Sequence, residues 1–464
     1  MGEDREEVAP APDGEPAPAP PSGSRRSILA RLFWEYFKVS LFIVGGGYAI
    51  IVAADEAFGR RLRWLRDGEL LDRLPIFQMI PGLIAGNSAI YVGLRRAGVA
   101  GAMTALAAVA LPSFAILLAF SYGYDALPLE SPALQGAFLG LRSALTGIIV
   151  GTLAKSWRRT MRGAYAWFAL VASVLLIVGA KANTALVLVG AMLCGIALEL
   201  AGFGAPAAAG AAPSVSAEPG GKGGPLAGLW PAALVAAAAC ALSPVIFLTF
   251  VKFGLLCFGG GNVLVPVYID EFVGPNAPLL RLDPDTFGNL LAVTQMTPGP
   301  ISVNAATFFG FRLASEPLSF FGFALPALPR PAGSLVATLG LLVPSLFLLT
   351  AALRSLDKWR ASPFVRGLLR GVAPATVGLM AVAVLIFARM SVFALPEGAA
   401  DLPWRGLAEW IAGGGWPEGL RVRPLALLLA GFSAWALRTG RLHIMPLIAL
   451  CAGIGALAFP RMGL

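Results

Sequence analysis

Charge is what this sequence lacks most. Only 13% of its 464 residues are Asp, Glu, Lys or Arg, while 57% are hydrophobic, against roughly a quarter charged in soluble domains. A water-soluble globule is excluded. The class is an all-α polytopic membrane protein, with room for roughly ten to thirteen membrane segments at about 20 residues per span. Histidine is nearly missing, since His443 is the only one, which argues against a histidine-based catalytic or metal centre. Cys194, Cys240, Cys257 and Cys451 lie singly in apolar segments, without metal-ligand spacing, so neither a metal nor a cofactor is expected. The N-terminal residues are acidic and then rich in Pro and Ala. They lack the basic region and apolar core of a cleaved signal, so residues 1–27 read as a disordered tail. The net charge of +9 does not indicate a nucleic-acid partner. The arginines flank apolar runs and form no stripe, as the topology signals of membrane helices do, and the lipid bilayer is the implied partner.

What the chain does have is an internal repeat. "KVSLFIVGGGYAI" from Lys38 returns as "KFGLLCFGGGNVL" from Lys252, 214 residues later. "QMIPGLIAGNSAIYVGLRRAG" (Gln78 to Gly98) returns as "QMTPGPISVNAATFFGFRLAS" (Gln295 to Ser315), identical at 10 of 21 aligned positions. A third pair follows in the same order, "GAMTALAAVALPSFAILL" from Gly101 and "GSLVATLGLLVPSLFLLT" from Gly333. Repeats at this spacing mark a duplicated architecture. The Ala/Gly/Pro/Ser-rich stretch between the copies is a linker. The expected organisation is a first repeat at 28–201, a linker at 202–227 and a second repeat at 228–464.

Loop charges orient the copies. In the first, the loop after the glycine segment is basic (Arg60, Arg61, Arg63, Arg66), as is the stretch Lys155 to Arg162. In the second, the corresponding loop carries Asp270, Glu271, Asp283 and Asp285, and the basic residues move to Arg354, Lys358, Arg360, Arg366 and Arg370. Basic residues set membrane orientation, so the copies are expected to be inverted repeats, a transporter architecture. An extra span at Leu229–Val245 would supply the inversion. Both flanks of the first Pro-Gly segment are basic, and so are both flanks of the glycine segment before it. Each is therefore expected to enter the membrane and return on the same side, the alternative being two ordinary kinked helices that span it. Irregular backbone at that depth is tolerated only against protein or a water-filled cavity.

Breaks of this kind leave backbone N–H groups free at half-helix starts, where the helix dipole favours anions. Gly45, Gly46 and Gly47, with Gly259, Gly260 and Gly261, put no side chain in a ligand's way. Pro81 and Gly82, with Pro298, Gly299 and Pro300, make the second breaks. Gln78, Asn87, Gln295, Thr297, Ser302 and Asn304 supply neutral hydrogen-bonding groups, and Arg95, Lys252 and Arg312 nearby positive charge. Together these are the candidate substrate-binding residues, for a small inorganic anion cradled from two sides. A membrane enzyme acting on a lipid phosphate would need a nucleophile and acid/base pair at one depth, which the scattered acids do not supply. An anion channel stays open as an alternative to a carrier, and for either one the identity of the anion stays open.

At these motifs the sequence resembles the chromate ion transporter family. The resemblance is carried by "FGGGNVLVP" from Phe258, "TQMTPGPISVNAATFFGFR" from Thr294, "PGLIAGNSAIYVGLRRAG" from Pro81, and the "LPS" and "VPS" segments at Leu111 and Val343. It implies export of chromate, with sulfate as an analogue, by a secondary transporter in the inner membrane of a prokaryote; a homodimer is compatible with it. Where long members of the family more often show Gly-Gly-Pro and Pro-Gly-Pro, the first half here has Gly-Gly-Gly-Tyr and Pro-Gly-Leu, as in a fusion of two short members.

Overall fold

The computed structural model describes residues 24–43, 47–202, 229–274, 277–354, 362–394, 421–439, 442 and 444–462. Gly45, Gly46, His443, most of the linker and most of the N-terminal tail lie outside them.

The described chain is helical almost throughout, apart from two short β-ribbons, 319–320 with 323–324 and 393–394 with 421–422. The first half runs α1 (Arg25–Phe42), α2 (Gly47–Asp55, continued as a π-helical turn to Arg61), α3 (Glu69–Asp72), α4 (Leu74–Met79), α5 (Ile84–Tyr124), α6 (Pro132–Thr160), α7 (Ala164–Val174) and α8 (Thr184–Leu200). A short α9 (Trp230–Leu242) precedes the second half. That half runs α10 (Pro244–Leu256), a 3-10 turn at Gly261–Leu264, α11 (Val265–Phe272), α12 (Pro284–Met296), α13 (Ile301–Leu313), α14 (Arg330–Arg354), α15 (Pro363–Ser391), α16 (Pro424–Thr439) and α17 (Ile444–Ala458). Local sequence sets the boundaries. Proline occupies the first turn of α6, α9, α10, α11, α12 and α15, where its missing N–H costs nothing. Asn183 caps α8 and Asp283 caps α12 through their side-chain oxygens.

Among the described residues, five helices are long and apolar enough to cross a membrane, and five shorter helices are apolar. Large apolar side chains such as Phe168, Leu186 and Leu428 point outward, which suits hydrocarbon. The molecule is a multi-pass membrane protein. α9, with 13 residues, is only about 20 Å long at 1.5 Å per residue, so the expected extra span at Leu229–Val245 is a short helix followed by an extended Ser243 and the start of α10.

The chain reverses where the sequence breaks. Tyr36 of α1 packs against Phe58 beyond α2, ring centroids 5.0 Å apart, and Glu35 pairs with Arg61. A straight helix would hold such residues more than 30 Å apart, so α1 and α2 form a helical hairpin that turns between Ile43 and Gly47. In the second half Phe253 meets Tyr268 at 4.9 Å and Lys252 pairs with Glu271, around Gly259–Gly261. α5 is itself bent back at Ala97 and Gly98, which leave helical geometry. Its two arms touch at Gly93 and Gly101, where a β-carbon on Gly93 would lie 2.4 Å from the Gly101 carbonyl. Gly310 and Gly333 repeat that contact between α13 and α14.

The halves exchange their last helices. α15 packs on α7 and α8 of the first half, while α6 packs on α16 and α17 of the second. Small residues four apart make the close approach: Gly136 and Gly140 of α6 lie against Cys451 and Gly455 of α17, and Gly367 and Gly371 of α15 lie against Ala191 and Gly195 of α8. In lipid, where burial of apolar surface gives no net drive, backbone contact of this kind holds helices together.

Candidate functional site

The site is assembled from four hairpin tips. The N–H of Gly82, in the first half, donates to the carbonyl of Cys257 at the second half's glycine tip, 2.9 Å away. Reciprocally, the N–H of Gly299 donates to the carbonyl of Ile43, 3.1 Å away, at the first half's glycine tip. Within each half the tips also touch. A β-carbon on Gly47 would lie 3.1 Å from the backbone of Ala85, and one on Gly261 would lie 2.7 Å from Ser302 Oγ. Gly259 and Gly260 differ: β-carbons there would meet open space, the nearest atom being Ile84 Cδ1 at 3.8 Å from Gly260. The tips therefore leave room directly in front of two glycines whose φ angles are +75° and +118°.

Two serines hold this junction. Ser345 Oγ accepts from the Leu83 N–H at 3.3 Å, and Ser113 Oγ donates to the Pro298 carbonyl at 3.1 Å. Both are fully buried. Ser113 stands in the middle third of the long arm of α5, and Ser345 in the middle third of α14, each about 14–22 Å from the helix ends. The tips thus meet beside the middle stretches of these two long apolar helices. Arg330, starting α14, pairs with Asp125, just past the end of α5, and the two helices pack together, so these repeat-equivalent helices run antiparallel.

α5 and α13 begin at the junction, at Ile84 and Ile301, and no side chain caps either start. The first N–H groups of a helix have no partner within it. Buried and uncapped, the two starts offer partial positive charge and hydrogen-bond donors without any competing acidic side chain.

The sequence candidates divide into three groups. Gly47, Pro81, Gly82, Gly259, Gly260, Gly261, Pro298, Gly299, Pro300 and Ser302 are at the junction. Asn87, Asn304, Gln78, Gln295 and Thr297 support it. Asn87 Nδ2 donates to the carbonyls of Phe77 and Ile80, at 2.9 and 3.1 Å. Asn304 Nδ2 does the same for Thr294 and Thr297, at 2.8 and 3.1 Å. Each asparagine spends both amide hydrogens on carbonyls freed by a break, fastening the strand of chain that bends back there. Gln78 reaches Tyr48 Oη, and Gln295 reaches Asn262 Oδ1 at 2.6 Å; each glutamine joins a break to the residue after the glycine tip. Thr297 Oγ1 returns to the carbonyl of Val293.

The cations form the third group and lie away from the tips. Arg95 and Arg312 are eleven residues beyond the starts of α5 and α13, about 16 Å away, and pair with Glu69 and Asp125. Lys252 pairs with Glu271. Burial alone would raise the Glu69 carboxyl, but the Tyr91 hydroxyl and the charges of Arg95 and Arg73 outweigh it and hold it below its ordinary value. Sequence reasoning missed Ser113 and Ser345 as site residues, although the repeated "LPS" and "VPS" were visible signals.

A family model described as "Chromate transporter" matches residues 30–196 and again 244–456. The chain is similar to the "Chromate transport protein" of Pseudomonas aeruginosa, 24% identical over 407 residues that make up 87% of this chain and 91% of that one. It is similar to the "Probable chromate transport protein" of Synechococcus elongatus, 25% identical over 88% of this chain and 96% of the other. The "Uncharacterized transporter YwrA" of Bacillus subtilis is 26% identical over 47% of this chain and 98% of its own length, a relative of half size. No solved structure matches.

Proposed function

The chain belongs to the chromate transporter family, and from that premise we propose that it is a secondary transporter carrying chromate, a tetrahedral dianion, out across a prokaryotic inner membrane. The observation that carries the reading is the meeting of two uncapped helix starts with two side-chain-free glycines. Backbone N–H groups aimed at one point bind compact oxyanions. The interior of the junction holds no carboxylate among the described residues, which favours an anion over a cation. Sulfate, of the same shape and charge, is the expected competitor.

The antiparallel course of α5 and α14 and the opposed basic loops support inverted repeats. Such repeats move by rocking against each other around a fixed site. The tips are hydrogen-bonded across the halves, so the path is closed at the junction, which favours alternating access over an open channel. For export, an inside-negative potential contributes about 2.3 kcal/mol per charge per 100 mV, and a dianion gains roughly twice that.

The test is uptake of radiolabelled chromate into everted vesicles, with sulfate as competitor. Saturable accumulation reduced by sulfate, and lost in Gly260→Leu, is expected. Absence of accumulation in the wild-type protein would remove the substrate, and full activity of Gly260→Leu would move the path away from the tips.

A further inference from the structure

The arginines that the junction does not use are organised, and at both ends of the molecule. Arg95 and Arg312 occupy equivalent positions in the two repeats. Around Arg95 the structure gathers Glu69, Arg73 and Tyr91: Arg95 and Tyr91 bind the Glu69 carboxylate, Arg73 Nε lies 3.4 Å from it, and the Arg73 guanidinium covers the Tyr91 ring at 4.8 Å. Around Arg312 it gathers Asp125, Arg330 and Tyr124: Arg312 and Arg330 bind Asp125 at 2.5 and 3.3 Å, and Arg312 covers the Tyr124 ring at 5.3 Å. Each set of contacts joins two arginines, one carboxylate and one tyrosine, so positive charge is in excess, and Arg96 beside Arg95 adds to it in the first. In each, an arginine nitrogen is buried without a partner, Arg73 Nη1 in one and Arg312 Nε in the other.

The composition matches although the positions do not. Arg330 lies in the stretch between Ser315 and Gly333, which is much longer than the matching stretch between Gly98 and Gly101, and Leu290 occupies the position in the second half that corresponds to Arg73. Duplication supplied only Arg95 and Arg312. The remaining members were recruited from different elements, including Asp125 from the opposite half. The clusters flank the long arm of α5, Arg95 just before its start and Asp125 just after its end, so roughly 40 Å of helix separates them, with the tips between. Arg95, Arg312 and Arg330 keep 32%, 27% and 47% of their side-chain surface exposed, within reach of an ion from the aqueous face.

We infer that these clusters are two antechamber sites for a divalent oxyanion, one at each mouth of the path, where the ion exchanges places with the resident carboxylate on a pair of guanidinium groups. This rests on the anion-transport reading of the junction. Two arginines match a tetrahedral oxyanion through paired N–H donors, and the unpartnered nitrogens, buried while the carboxylate is in place, become available to the ion when the carboxylate moves aside. The carboxylate keeps the arginines in place when the ion is gone and weakens its hold, so that the ion can leave, as conduction requires of a transit site.

Chromate is offered to one face at a time of reconstituted vesicles of known orientation. Arg73→Gln should raise the half-saturating concentration about tenfold from the Glu69 face, and Arg330→Gln should do so from the Asp125 face, each with a smaller effect on the maximal rate. Arg73→Lys and Arg330→Lys, which keep charge without the fork, should fall between. Equal shifts on both faces, or a fall in maximal rate without a shift, would overturn the assignment. If the wild-type chain moves no chromate, the substrate reading fails separately. The clusters are then tested by thermal stabilisation of the purified full chain with sulfate, which either arginine-to-glutamine variant should reduce; absence of stabilisation in the wild type, or unchanged stabilisation in both variants, overturns them.

Discussion

The N–H of Leu83 donates to Ser345 Oγ at 3.3 Å, a bond that the equivalent Pro300 cannot make because proline has no N–H. In the second half the equivalent serine, Ser113, turns its hydroxyl to the Pro298 carbonyl instead. One departure between the repeats thus accounts for the different hydrogen bonds of two equivalent serines. Leu83 has φ −75°, which proline adopts without strain. Leu83→Pro should therefore lose about 1 kcal/mol of hydrogen bonding and regain about 0.4–1 from a stiffer unfolded chain. Its melting temperature should match wild type within a few degrees and transport should be retained, measured in the same vesicles.

Gly82 should tolerate nothing larger. Its φ is +119°, and a β-carbon there would lie 1.8 Å from Ser345 Oγ. Gly82→Ala is expected to cost about 2–5 kcal/mol through strain and overlap and to abolish transport. Adding Ser345→Gly should restore part of the stability, the part due to overlap, as read by thermal unfolding of the single and double variants.

Asn304→Ala frees the carbonyls of Thr294 and Thr297 in a buried place. At about 1–3 kcal/mol for each unpaired group, the loss should be about 2–6 kcal/mol. Transport should fall in step with the amount of folded protein, and Asn87→Ala should behave alike. A transport defect in Asn304→Ala at unchanged melting temperature would show contact with the ion.

Glu69, in the loop between hairpins, carries the pH dependence. Its folded value is held below the ordinary 4.5, so its contribution is complete above about pH 4.5 and is lost as the pH falls through the folded value. Melting temperature should be flat with respect to this group from pH 7 to 5 and should drop below that. Glu69→Gln should start lower at pH 7 and show a shallower acid drop.

The exchange of terminal helices predicts that neither half is stable alone. α6 or α15 without its partner leaves a glycine-lined face uncovered. Halves divided within 202–227 and expressed together should co-purify and transport, and each expressed alone should be degraded. Gly371→Leu, whose β-carbon would already lie 2.0 Å from the Ala191 carbonyl, should prevent co-purification.

The sequence by itself determined the membrane class, the duplication, and where the helices break. Those properties reside in composition, in motif spacing and in which loops carry arginine, all of which are local. It also located the glycine and Pro-Gly tips, because helix-breaking residues act on their own backbone. Only the tertiary structure decided what the tips touch. Gly82 meets Cys257, and Gly299 meets Ile43, across the two halves, and no spacing along the chain encodes a contact between elements folded around a common axis. The same holds for the cations. Arg95, Lys252 and Arg312 look like ligands in sequence, yet partners distant along the chain, Glu69, Glu271 and Asp125, pair with them away from the junction. A half-buried cation is held by the carboxylate that folds beside it, so that partner, and not the position in the motif, decides its role.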